Sequence, residues 1–429
     1  MFDNCLKVIS NKFCIALLLI HLLCFGNVNL FSQSTLRYQA EELNGYESEL
    51  GPIREYLDNV IINQDDIRIT CGYAKQFINS NNALLKRNVK VYQSGMTLSS
   101  EEMNYDGNKK IAKSNSKVEI IDEGTYLTAK RGTYFVDEKL ADFQGNVFIE
   151  NDTTVMYSDK VKFYRDTDVS LAYGNANIKS KKDNVYLLGD TLENYPQKSY
   201  SIVKGNTNLI QIDTSKYASE GIIDSLIITC EVIESFRDSS QLYYFRDNVK
   251  IKRDNINAIA DLAIFDKVKN EFTFYKNPVI WYDQFQLYAD TIIINTIDNK
   301  LSKISAFGNA ISVNKDTLFE KRFNQIAGKY IEISIDNNQI SKITSEGISK
   351  SLYFLNNEGS PEGADQKSAD KIEIIFKDGE AEDINWIGKP NGIYIPEQIL
   401  QESIDKYNLP NLKWQEERPL MELRKVRIK

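Results

Sequence analysis

The sequence predicts an all-β protein, an elongated antiparallel stack of about twenty short strands with one short helix near its C-terminal end. Three observations carry this expectation. A two-part phrase recurs along the chain, apolar residues alternate at period 2 inside each copy, and helical periodicity is nearly absent before Glu397–Tyr407.

The first part of the phrase is a Gly or other residue followed by Asn and an alternating apolar run. It stands at Asn88-Val89, Gly145-Asn146-Val147, Gly174-Asn175-Ala176, Gly205-Asn206-Thr207, Asp247-Asn248-Val249, Asn277-Pro278-Val279 and Gly308-Asn309-Ala310. The second part is a small residue, an acid and further alternating apolar positions, as in Ser158–Phe163, Ala260–Phe265, Ala289–Ile294 and Ala369–Ile374. Val118, Val147 and Ala176 are spaced 29 residues apart, as are Glu101, Lys130 and Asp159. A larger duplication sets Ile69–Phe77 against Ile228–Phe236.

Within a unit, Ala141, Phe143, Gly145, Val147 and Ile149 oppose a mostly polar set. That is the signature of strands with one face buried, and it runs from about residue 56 to 390. Glycine within a strand marks a bend or a bulge. A Gly at the same height in successive units is expected to crease the stack into two sheets. Asp159 and Asp290 share parity with apolar neighbours, and a column of carboxylates in an apolar core is costly. They are therefore placed at the crease or rim, accepting bonds from amides freed at the bend or simply solvated.

Composition limits the function. Hydrophobic content of 42%, 24 Tyr and 20 Phe against 8 Pro describe a folded, strand-rich chain. A net charge of −8 speaks against nucleic acid as a partner. Residues 1–34 read as a signal peptide: Lys7 and Lys12 precede the apolar run Phe13–Phe25, and Ser32-Gln33-Ser34 offers a cleavage site. The alternatives are a retained N-terminal anchor and, more weakly, lipidation at Cys24. The leader contains the single histidine, His21, so the remaining chain lacks the usual residue of zinc, haem and Ser-His-Asp chemistry. No enzyme, metal site or cofactor is expected. Cys71 and Cys230 hold equivalent places in the two longer halves, too far apart in a stack for a disulfide, and are expected as separate buried thiols.

The run Gly145–Tyr164 followed by Ala172–Asn194 resembles the OstA/LptA family of lipopolysaccharide-transport proteins, in the long form of the Bacteroidetes type. The likeness spans most of 57–390, domain 35–390 being the repeated unit. It implies a V-shaped antiparallel β-jellyroll in the periplasm that shields lipopolysaccharide acyl chains on the way to the outer membrane. The lipid A chains would lie along the inward residues Val118, Ile120, Phe143, Val147, Ile149, Val161, Phe163, Ile178, Val249, Ile251, Val279, Trp281, Ile292 and Ile294. It also implies partner proteins of the same jellyroll type that pair with the terminal strands. Those strands are expected at Asn59, Val60, Ile61 and Ile62, and at Ile372 and Ile374.

Residues 391–429 form a C-terminal extension with a helix at 397–407 and a basic end, Arg418–Lys429, that covers the last edge, docks on an anionic partner or lies solvated. Glu358–Gly363 reads as an inserted surface loop. Two competing functions remain: a structural or adhesive β-stack with a closed core, and an outer-membrane barrel, for which the charged strand faces are unsuited.

Overall fold

The computed structural model describes residues 36–426 except 183, 214–223, 298–299, 317–318 and 379, so the leader expected at 1–34 lies outside the described residues. The described residues form one antiparallel sheet of 28 strands followed by the helix Glu397–Glu402. The strands are more numerous than the phrase count suggests, and many are longer. Leu140–Glu150, Thr154–Tyr164 and Gln339–Asn357 each run through a bend and continue beyond it.

The bend is a register slip repeated at one height. Between Leu140–Glu150 and Thr154–Tyr164, Gln144 pairs with Lys160 and then Val147 with Ser158, so two residues face one. The same slip separates Tyr173 from Ala176, Lys204 from Thr207, Arg246 from Val249 and Phe307 from Ala310. Such bulges bend the bulged strand. Each long strand therefore contributes its halves to two layers. Layer A contains 140–144 and 160–164, and layer B contains 147–150 and 154–158. In places the halves are separate strands, as with Thr125–Ala129 in layer B and Arg131–Phe135 in layer A.

Two consecutive left-handed residues make each slip: Gly145-Asn146, Gly174-Asn175, Gly205-Asn206 and Gly308-Asn309, and without glycine Asp58-Asn59, Arg87-Asn88, Asp247-Asn248 and Lys276-Asn277. Asn tolerates this region better than other non-glycine residues, which explains its recurrence in the second place. Glycine in the first place has an additional cause at Gly174. A Cβ there would lie 2.6 Å from Asp159 Oδ2 on the adjacent strand. The acid is thus a partner of the bend. Asn175 Nδ2 donates to Asp159 Oδ2 (2.9 Å), Asn309 Nδ2 to Asp290 Oδ2 (3.0 Å), and the Asp290 N–H to the Gly308 carbonyl (2.9 Å). Asp190, Asp290 and Asp370 are exposed, which puts the column on the outer rim of the crease.

Cys71 and Cys230 precede the bend where other units carry Ser158, Ala260 or Ala289. Both are free and buried, and burial pushes each thiol up to about 11. The segment Glu358–Gly363 is not an inserted loop. Glu358-Gly359 is a tight turn, and Ser360 opens the strand Ser360–Lys377.

The terminal strands differ from expectation. Asn59, Val60, Ile61 and Ile62 are not at an edge, because Tyr38 pairs with Ile62 and Gln39 with Ile61 while Thr70 flanks Ile61 on the other side. Ile372 and Ile374 are likewise interior, between Ser345 and Ile343 on one side and Trp386 and Ile384 on the other. In both cases a short pair of strands adds one further layer. Arg37–Gln39 and Glu42–Ser48 cover one end, and Glu380–Ile387 and Asn391–Pro396 the other. A strand broken into two short pieces lacks the continuous alternation that the repeat displays, so the sequence hides it.

Candidate functional site

The space between the layers is the candidate site, and its filling changes along the stack. At the N-terminal end it is sealed. Tyr105, Tyr134, Phe143, Leu85, Met96 and Met103 are fully buried there. Side chains also bond across the mouth opposite the crease. Tyr105 OH donates to Gln64 Oε1 (2.7 Å), Tyr134 OH to Gln93 Oε1 (2.7 Å), and Arg165 Nε to Asp122 Oδ2 (2.7 Å). Gln64, Gln93 and Asp122 come from layer B, at the 29-residue spacing of the repeat; their partners come from layer A. Lys110 adds an ion pair to Asp65 (2.8 Å) across the same mouth.

In the middle of the stack the rim becomes apolar. Ile149, Ile178, Leu187, Leu209, Leu226 and Ile256 on layer B are only partly buried against the core. Facing them on layer A are Phe163, Tyr243, Phe265 and Phe272, the last two stacked at 4.5 Å. Tyr282 OH, donating to the Asn338 carbonyl (2.9 Å), spans the mouth further on.

At the C-terminal end layer B is turned inside out. Its inward positions become Ser312, Asn314, Ser349 and Ser351, while Ile311, Val313, Leu352 and Phe354 face outwards and form a second buried cluster. Layer A keeps its apolar inner face with Ile343, Ile374, Phe376 and Ile384. Small polar side chains opposite large apolar ones leave a cavity of about 530 Å³, into which Trp386 also projects. Trp386 Nε1 donates to Ser351 Oγ (3.2 Å), and the Lys367 ammonium lies 4.0 Å from its ring centre.

The outward apolar cluster is covered by the C-terminal extension, which runs back over layer B. Leu400 and Leu409 are buried in it, and Trp414 packs on Phe323 at 5.1 Å. Arg322, buried under the helix, pairs with Glu397 (2.5 Å). Outward amides then hold the strap's backbone. Gln286 donates to the Gln415 carbonyl and accepts from its N–H (2.8 and 3.1 Å), and Asn208 does the same with Glu422 and Arg424 (3.2 and 2.7 Å). Arg424 reaches the acid column at Asp190 (2.8 Å). The extension thus begins as part of the terminal edge, with Asn391–Pro396 paired to Gly363–Ser368, and from Glu397 on runs over layer B.

The residues expected to line a groove fall into three groups. Val118, Ile120, Phe143, Val147, Val161, Val249, Ile251, Ile292 and Ile294 are buried in the main core. Ile149, Phe163 and Ile178 stand at the half-buried rim. Val279 and Trp281 belong to the outward cluster, because Ile280 and Tyr282 take the inward positions of that strand. Ser312 and Asn314 were not singled out by the repeat. The signal for Ser312 is its position two beyond Ala310, where other units carry Ile149, Ile178 or Ile251. Among the described residues no group of His, Cys, Asp and Glu could hold a metal ion, and no helix is long and apolar enough to cross a membrane.

Two family models match the chain: "OstA-like protein" over residues 35–145, and "LptA/(LptD N-terminal domain) LPS transport protein" over 126–300. No curated protein matches it. Among solved structures, LptH of Pseudomonas aeruginosa, described as the LptA homologous periplasmic component of the lipopolysaccharide transport device, is 15% identical. That match covers 33% of this chain and 95% of LptH at a TM-score of 0.26. The ordered repeat, the creased antiparallel stack and the two overlapping matches agree: over residues 35–300 the chain carries OstA/LptA-like domains of the kind found in lipopolysaccharide-transport proteins.

Proposed function

We propose that this protein carries lipopolysaccharide through the periplasm by holding its acyl chains between the two layers. The observation that supports this most is the apolar rim from Ile149 to Phe272, half-buried on both sides of the mouth. Acyl chains entering there leave water at about 0.8 kcal/mol per methylene, with no directed bond required. Phe163, Ile178 and Ile149 are the groove residues nearest to solvent. The deeper ones, such as Val147 and Val249, become accessible only if the layers part. No cofactor or catalytic group takes part in such transfer.

Sheet pairing at the stack's ends supplies the partners. Among the described residues Glu42–Ser48 pairs on one side only and exposes Leu43 and Tyr46, and Asn391–Pro396 does the same at the other end with Ile393 and Tyr394. Either can add to the edge of another jellyroll component. A proline at Ile61 would break the stack itself, since that residue pairs on both sides.

The test is a photo-crosslinking amino acid at Ile178 or Phe272 in cells, with Leu98 in the sealed section as the control. Lipopolysaccharide should be captured at the first two and not at the third. Absence of capture at both rim positions would overturn carriage. It would favour a second reading, a closed structural or adhesive stack, which the fully buried N-terminal interior supports.

A further inference from the structure

Along the outer rim of the crease one position recurs on every second strand, beside the bend of the strand that follows. Asp159 lies there against Gly174, Asp190 against Gly205 and Asp290 against Gly308, while Lys130 lies against Gly145 and Lys329 against Gly347. Glu231 and Asp261 take the same place between Asp190 and Asp290, facing the bends at Asp247-Asn248 and Lys276-Asn277. The middle of the stack thus bears an unbroken acidic row from Asp159 to Asp290, closed by a lysine at each end. All but the half-buried Asp159 are exposed.

One place in this row is filled by the chain itself. Arg424, from the C-terminal strap, sets its guanidinium on Asp190. Its Nη1 donates to Asp190 Oδ1 (2.8 Å) and to the Gly205 carbonyl (3.1 Å), and its Nη2 to Asn175 Oδ1 (3.3 Å). The carboxylate, the carbonyl of the following bend and the carboxamide of the preceding one form a forked receptor for a planar cation. All three are products of the repeat. Asn146, Asp159 and Gly174 reproduce the set on one side, and Asn277, Asp290 and Gly308 do so further along. An arginine from a distant segment, seated in one copy of a repeated receptor, identifies the ligand that the other copies fit.

We infer that the acidic row is a docking stripe for a basic segment of a partner protein, one arginine to each receptor. The spacing specifies the segment further. Receptors on every second strand lie about 9.6 Å apart. A polyproline II segment turns once in three residues and advances about 9.3 Å, so arginines at every third residue all face the row. A β-strand alternates its faces and cannot present that spacing on one side. The inference is independent of what the two layers enclose.

A labelled peptide of four Arg-Pro-Pro repeats is titrated onto the purified protein at low salt and followed by fluorescence anisotropy. It is compared with a peptide of the same composition whose arginines form one block, and with four Lys-Pro-Pro repeats. The spaced arginine peptide is expected to bind about tenfold tighter than the blocked one and about threefold tighter than the lysine one, since only arginine fills a fork. Asp261→Asn combined with Asp290→Asn should weaken it about three- to tenfold. Glu47→Gln, at an exposed acid near the N-terminal end of the stack, leaves it unchanged. Arg424→Gln vacates the Asp190 receptor and should tighten binding about two- to fivefold. Equal binding of the spaced and blocked peptides would reduce the row to undirected charge and overturn the inference, as would an unchanged affinity in the double variant.

Discussion

The section from Leu36 to Arg165 and the section from Val279 to Pro396 share one fold and opposite fillings. In the first, both layers turn apolar faces inwards, and side chains such as Tyr105 and Tyr134 meet polar partners across the mouth. In the second, layer B turns Ile311, Val313, Leu352 and Phe354 outwards, a strap covers them, and the interior is left with Ser312, Asn314 and a cavity. The crease is built the same way in both, from left-handed pairs at Arg87-Asn88 and Gly308-Asn309. Backbone geometry therefore fixes the stack, while the phase of the side-chain alternation decides whether a given stretch is solid or hollow. A covered outer face is what permits the phase to invert, since exposed Ile and Val there would otherwise lose their burial.

The largest effect should come from the solid section. Phe143→Ala removes a fully buried ring and is expected to cost about 3–5 kcal/mol, against about 1–1.5 kcal/mol for Phe376→Ala at the cavity wall. Urea unfolding of both variants measures this difference, and equal losses would erase the distinction between sections. Next comes the strap. Arg322→Met leaves Glu397 without its buried partner, a loss of about 3 kcal/mol. The expected response is release of residues 397–426, seen as faster amide exchange there and in the strands 279–282 and 311–313, with the N-terminal section unchanged.

A smaller effect belongs to the cross-mouth bonds. Tyr105→Phe keeps the ring and removes the buried bond to Gln64 Oε1, so about 1 kcal/mol should be lost. If the bond also holds the layers together, exchange at Leu98 and Met103 rises in the same variant. The smallest change is a gain. Ile348 is a β-branched residue at φ 60, directly after Gly347, and is 69% exposed. Ile348→Asn restores the residue that other bends use and should stabilise by about 0.5–1 kcal/mol. A loss in thermal melting would mean that Ile348 packs against something in the working protein.

Much of this was legible in the residues. Period-2 alternation gave the strands, Gly-Asn gave the crease, and the recurring acids gave its outer rim. The interior positions Val118, Val147 and Val249 also followed from parity. Parity failed at Val279 and Trp281. The strand Val279–Tyr282 is apolar at every position, and alternation cannot say which pair faces in. The terminal strands were displaced for a related reason. Short pieces such as Arg37–Gln39 carry too few positions for a period to show. The strap was missed because its bonds join residues far apart in sequence, Gln286 to Gln415 and Asn208 to Arg424.

By itself the sequence determined the local rules of this protein: which residues bend, which alternate, and that the units stack in order. Those rules act over two to thirty residues, through φ preference, pleat and hydrogen-bond pairing, and each can be read from neighbours. Only the tertiary structure decided where the interior is full and where it is hollow. That outcome depends on which distant segment covers the outer face of each layer, and burial is a property of the partner as much as of the residue.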